Sequence, residues 1–192
     1  MTARQDRPPP TTEAEIEAYT VGGARRLDGP IVLADYDPGW PQLFAREAAR
    51  LRRVLGATAG RIEHVGSTSV PGLAAKPIID VAMEVGDSAD EPSYVPALEA
   101  QGYALRIREP DWFEHRVFEG PDTDVNLHVF TRGCAEVDRM LRFRDHLRAT
   151  PADRALYEAT KRQLAARVWA YVQNYADAKT EVIAAIMARA GG

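Results

Sequence analysis

Asp80, Glu84 and the turn that precedes them are the residues whose types and spacing could do chemistry. From Ile79 to Val85 the chain alternates strictly: Ile79, Val81, Met83 and Val85 point one way, and Asp80, Ala82 and Glu84 the other. That pattern predicts a half-buried strand with two carboxylates on its polar face. Just before it, Gly66 to Lys76 is a turn rich in glycine, serine, threonine and alanine. Small residues let a backbone approach a ligand, and a Gly66-Ser67 turn can aim N–H groups and a hydroxyl at phosphate oxygens. Carboxylates on the next strand suit Mg²⁺, a hard cation that shares oxygen ligands between protein and phosphates. The two halves read as a nucleotide-and-metal site. The competing reading is a tight turn followed by a core strand with solvated acids.

Other polar residues can join such a site. Lys76 ends the turn and can donate to a phosphate as a point charge, or stay a solvated loop lysine. His64, His115 and His128 lack the tight spacing of a zinc site, and no zinc is expected. His128 shares a polar strand face with Asn126, which makes it a candidate to hold substrate. Arg142, Arg144, His146 and Arg148 form a basic cluster. Of these, Arg144 falls on an inward stripe with Met140 and Leu147, and it can reach the sheet to pair with a carboxylate or a phosphate. Ser67 lacks the G-x-S-x-G context of an activated nucleophile, so its hydroxyl reads as a phosphate ligand.

The elements that must position these groups follow from pattern. Ile62 to Val65 is a short strand running into Gly66, a neighbour of the Asp80 strand in one mixed sheet. Ile31 to Leu33 reads as a strand. A helix from Asp37-Pro38 to Gly56 carries the stripe Trp40, Phe44, Ala48, Leu51 and Leu55, with Glu47 at its border as a solvated acid. A short helix spans Pro92 to Gln101, stopped by Gly102. Tyr103 to Arg108 alternates as a strand. Phe113 to Glu119 and Asp124 to Phe130 form a hairpin around Gly120–Thr123, and pairing Glu119 with Asp124 sets His115 opposite His128. From Glu136 the chain is helical. Thr150-Pro151 starts a helix from Ala152 to Val172, buried through Leu156, Leu164, Val168 and Tyr171, and a last helix begins near Ala176.

Met1 to Thr12 is charged, proline-rich and expected to be disordered; Thr12 caps a short helix from Glu13 to Tyr19, and Val21 to Pro30 is a glycine-rich linker. Residues 1–30 therefore read as a flexible extension. Residues 31–192 read as one α+β domain, with the sheet up to about residue 130 and a helical cap over about 134–190. The 192 residues carry a formal net charge of −4, which argues against a general nucleic-acid binder. The single cysteine, Cys134, allows no intrachain disulfide, and no apolar run approaches membrane-spanning length, so a cytoplasmic location with no membrane partner is expected.

The stretch EHVGSTSVPGLAAKPIIDV, Glu63 to Val81, resembles the signature of the GrpB family. Tyr36 to Trp40, Phe44, Glu47, Leu127-His128-Val129, Phe143-Arg144-Asp145, Leu147-Arg148, Tyr157, Lys161 and Lys179 extend the resemblance over Ile31 to Ala190. It implies a nucleotidyltransferase-like fold, and with it an enzyme that binds a nucleoside triphosphate with Mg²⁺ and transfers a nucleotidyl group to a small-molecule or protein acceptor. In that reading Gly66, Ser67, Thr68, Lys76, Arg116 and Arg144 hold phosphates, and Asp80 and Glu84 hold the metal. His128 and Arg116 line the acceptor side. The wider superfamily pairs its Gly-Ser turn with an Asp-x-Asp or Asp-x-Glu strand. Here Ala82 stands at the second acidic position. That departure favours the alternative, a non-catalytic binding or assembly module of the kind fused to dephospho-CoA kinase.

Overall fold

A computed structural model describes residues 11–27, 29–122 and 124–191. Its frame is a five-stranded sheet in the order β1-β2-β5-β4-β3. The strands are β1 (Ile62–Val65), β2 (Ile79–Val85), β3 (Ala104–Glu109), β4 (His115–Glu119) and β5 (Val125–Thr131). β1 runs antiparallel to β2, as neighbouring strands, while β5 returns parallel to β2 after an antiparallel β3-β4-β5 meander. The sheet is thus mixed, as the sequence patterning predicts.

Strand alternation sorts side chains between two apolar layers. Val81, Met83, Leu127 and Val129 face α2 (Trp40–Leu55) and α3 (Val95–Glu99), packing with Trp40, Leu51, Leu55 and Leu98. Ala82 and Phe130 face the other way, against Trp112 and Val137, Met140 and Leu141 of α4 (Ala135–Ala149). The second face is therefore covered by a helix and not by solvent. Glu47, expected to be a solvated acid, is 1% exposed and accepts a hydrogen bond from the Tyr103 hydroxyl. A buried carboxylate persists where a donor meets it.

Three other expectations change. Ile31 to Leu33 forms no strand: Ile31 packs with Leu164, Ala165 and Tyr175, and only Ala34 bridges the turn, at Ala75. The hairpin closes between Gly120 and Val125, so Val117 pairs with His128 and Glu119 with Asn126. His115 is thus diagonal to His128, not opposite it. The helix expected over 152–172 is α5 (Pro151–Ala165), ending where the Trp169 indole donates to the Leu164 carbonyl, 2.8 Å away. Val168 is 98% exposed, and the buried stripe is Tyr157, Lys161 and Leu164. The short α6 (Val172–Asp177) and α7 (Thr180–Arg189) complete the helical cap.

The segment expected to be a flexible extension touches the body from Thr11 on. Residues 1–10, expected to be disordered, lie outside the described residues. Thr12 and Glu15 form a reciprocal capping box that starts α1 (Glu13–Tyr19). Ile16 and Tyr19 pack against Tyr171 and Ile107. Thr20 then bridges Ile107 and the Val21 N–H bonds to Arg106, so the arm lies along the outer edge of β3. The Thr11 N–H donates to Asp177 at 2.7 Å, and the Leu27 N–H to the Ala170 carbonyl at 2.9 Å.

Candidate functional site

β1 delivers the chain to Gly66, whose φ is +68°. A side chain there would be strained by that φ and would collide with the Asp80 carboxylate. Glycine is what allows the turn to lie against Asp80. Ser67–Ser69 then makes one 3₁₀ turn, held by the Ser69 hydroxyl donating to the Gly66 carbonyl at 2.6 Å. Thr68 is buried: its hydroxyl donates to the Ile78 carbonyl and lies 3.1 Å from His64 Nε2. Its hydroxyl is spent on building the turn. Burial pushes the His64 imidazole down to about 4, consistent with a neutral ring stacked on Phe44.

One lysine of the helical cap bonds to this turn, and a second lies close enough for its charge to act on the first. Lys161 of α5 is 2% exposed, and its Nζ donates to Ser67 Oγ at 3.0 Å and to the Ala74 carbonyl. It also lies over the Tyr157 ring, 4.9 Å from the centroid. Lys179, at the start of α7, lies 4.3 Å over the Tyr175 ring. Burial drives Lys161 down to about 7, with the charge of Lys179 adding to the effect. Burial likewise lowers Lys179 to about 8, and Lys76 pushes the same way. Lys76 itself is lowered by burial and raised by Asp80. Among the described residues, none of these three lysines makes an ion pair within 4.0 Å.

Asp80 faces them from β2. Its Oδ1 accepts from Asn126 Nδ2 at 3.1 Å and lies 3.6 Å from His128 Nε2. Burial opposes its ionisation, but the neighbouring His128, the Asn126 hydrogen bond and the charge of Lys76 outweigh it and hold the carboxyl low. His128 Nδ1 lies 3.0 Å from His115 Nε2, and His115 Nδ1 lies 2.9 Å from Glu109. The result is a chain of hydrogen-bonding groups from buried Glu109 to Asp80. A pocket of about 30 Å³, room for a water or two, opens against Gly66 and Ser67 between Met140, Phe143, Arg144 and Tyr157.

The remaining predicted residues are elsewhere. Glu84 shares the face of Asp80 but stands four residues along the strand, about 13 Å away. Its carboxylate is occupied by Arg61 at 2.9 Å and the Gly133 N–H at 3.2 Å. Arg116 pairs in register with Val129 and so lies on the opposite face of the sheet, bonded to Glu91 at 2.6 Å. Arg144 does reach the sheet, where it takes a carboxylate, Glu63 at 2.9 Å, and the His64 carbonyl at 3.0 Å.

This donor set is a poor fit for the Mg²⁺ the resemblance implies. Asp80 is the carboxylate against Gly66, Ala82 replaces the second acid on its strand, Glu84 is committed to Arg61, and Glu158 to Arg162 and the Ala74 N–H. No group of three His, Cys, Asp or Glu side chains suited to a metal occurs among the described residues. Lysine charges, moreover, already surround Asp80. The sequence reading missed Lys161 and Lys179 as site residues. The signal was a lysine at the centre of a helical apolar stripe, Tyr157-Lys161-Leu164.

The mixed sheet with its Gly-Ser turn and helical cap defines an α+β domain of nucleotidyltransferase-like fold. The profile described as GrpB protein matches residues 30–189, and the chain belongs to the GrpB family. A UPF0157 protein of Halalkalibacterium halodurans is 61% identical, covering 94% of this chain and 93% of that one. A UPF0157 protein of Streptomyces coelicolor is 48% identical over 96% and 94%. A dephospho-CoA kinase of Mycolicibacterium paratuberculosis is 30% identical over 84% of this chain but 46% of its own length. The crystal structure of GrpB from Enterococcus faecalis superposes with a TM-score of 0.71 at 30% identity, covering 83% of this chain and 96% of that one. No helix among the described residues is long and apolar enough to cross a membrane.

Proposed function

We propose that the protein binds the phosphate groups of a nucleoside triphosphate at the Gly66–Ser67 turn. The observation that carries this reading is Lys161, buried, bonded to Ser67 Oγ and, among the described residues, with no carboxylate within 4.0 Å. A buried ammonium normally has a counter-charge, and an anion at Ser67 would supply it. Lys76 and Lys179 add donors from two other directions.

One observation favours a second step, nucleotidyl transfer to a small-molecule or protein acceptor. His128 Nε2 lies beside Asp80, with its Nδ1 already oriented by His115. An acceptor hydroxyl would attack the α-phosphorus and pyrophosphate would leave. With its own proton on Nδ1 toward His115, His128 takes the hydroxyl proton at Nε2, and the Asp80 carboxylate beside it stabilises the imidazolium charge.

Equilibrium titration with the common nucleoside triphosphates tests the binding reading. Lys161→Met should weaken the best of them at least about tenfold, close to 1.4 kcal/mol, and unchanged affinity would refute it. With candidate acceptors present, pyrophosphate release that survives in His128→Asn would refute His128 as the base.

A further inference from the structure

Three ammonium groups and one carboxylate gather about the Gly66–Lys76 turn: Lys161 bonds to Ser67 Oγ, Asp80 lies against Gly66, and the charges of Lys76 and Lys179 act on Asp80 and on each other. Lys76 comes from the turn itself, Lys161 from α5 and Lys179 from α7, while Asp80 comes from β2. When all four are ionised the cluster carries a net charge of +2, which is the charge of one Mg²⁺ ion. In phosphate sites built around Mg²⁺, carboxylates hold the metal and the metal offsets the phosphates. Here the acid that would complete such a pair is Ala82, and Glu84 serves Arg61 instead.

We propose that the lysines stand in for the divalent cation, so that the site takes its di- or triphosphate free of metal, with Lys76, Lys161 and Lys179 neutralising the anion directly. The inference rests on the nucleotide reading above and adds to it the form in which the ligand is recognised. Other charges near the cluster are already committed. Glu158 bonds to Arg162 and the Ala74 N–H, Asp177 to the Thr11 N–H and Gln173, and Arg162 to Asp35 and Glu158. Arg148 donates to the Ser69 carbonyl and to Asp145, and Arg144 to Glu63. The three lysines are what remains to meet an anion, with Asp80 and His128 beside them.

Recognition by lysine carries a signature that a metal site lacks. Lys161 titrates near 7 and Lys179 near 8 in the free protein because burial disfavours their charge. A bound polyanion restores it, so binding takes up protons above neutrality and affinity falls as pH rises.

The experiment is a calorimetric titration of the full chain with ATP and with inorganic tripolyphosphate, in EDTA and in excess MgCl₂. Dissociation constants in EDTA within about threefold of those in Mg²⁺ are expected. So is a loss of at least about tenfold in affinity from pH 7 to pH 9, flattened in Lys161→Met. Binding that appears only with Mg²⁺ would overturn the inference and leave the nucleotide reading standing. No binding of ATP in either condition would overturn both. Binding of ATP in EDTA that does not respond to pH or to Lys161→Met would place the anion elsewhere and overturn the lysine assignment.

Discussion

A lysine at 2% exposure with no carboxylate within 4.0 Å among the described residues, as at Lys161, is held in the folded chain against its own solvation. Its ammonium titrates near 7 when folded and near 10.5 when unfolded. Between those values the unfolded chain binds the extra proton, so stability rises with pH, by up to about 1.4 kcal/mol per unit. Below pH 7 both states are charged and the penalty is present in full. The unliganded protein should therefore melt higher at pH 9 than at pH 7, by several degrees for a domain of about this size. Lys161→Met should raise the melting temperature at pH 7 and flatten that slope; calorimetric scans of both proteins at several pH values check it. A variant that is stabler while binding less is what a residue kept for ligand and not for packing produces.

At the scale of elements, the arm of α1 and the chain to Leu27 closes the outer edge of β3. Burial of Ile16 and Tyr19 contributes about 1.5–3 kcal/mol each. Removing residues 1–29 should lower the melting temperature by at least about 5 °C and, by exposing an edge strand, promote association at high concentration. Thermal melts and light scattering of the shortened chain test this, and an unchanged melting temperature would refute the packing role. The sequence had supported the opposite, a removable extension, because two apolar anchors in a charged, glycine-rich stretch show no partner until Tyr171 and Ile107 are brought to them. β1, β2, α2 and the Asp80 position were legible, since each repeats its pattern within a few residues. The hairpin register and the end of α5 were not, as each turns on local bonds that the pattern does not reveal, such as Gly120 to Val125 and Trp169 to Leu164. The site was legible where one strand and turn carry it, at Gly66, Ser67, Lys76 and Asp80. The contributions of Lys161 and Lys179 depend on how helices about a hundred residues later fold back.

Across the whole molecule the sheet supplies the turn, Asp80 and His128, and the cap supplies two of the lysines. Asp153 fastens the cap, taking Arg189 of α7 and His146 of α4; these two bonds, Arg189 first, hold its carboxyl near 2. Yet Lys161 and Lys179 are joined through Ala166 to Tyr171, where Arg167 and Val168 lie exposed. The cradle thus has a seam, with one lysine on either side of the protein's most accessible arginine–valine bond in this region. Trypsin cutting after Arg167 would separate them covalently while α5 and α7 remained packed through the cap. A polyphosphate gripping both lysines acts as a suture across that cut. Its presence should slow the nick several-fold and raise the temperature at which the nicked chain, otherwise held together only through the cap, releases its last 25 residues.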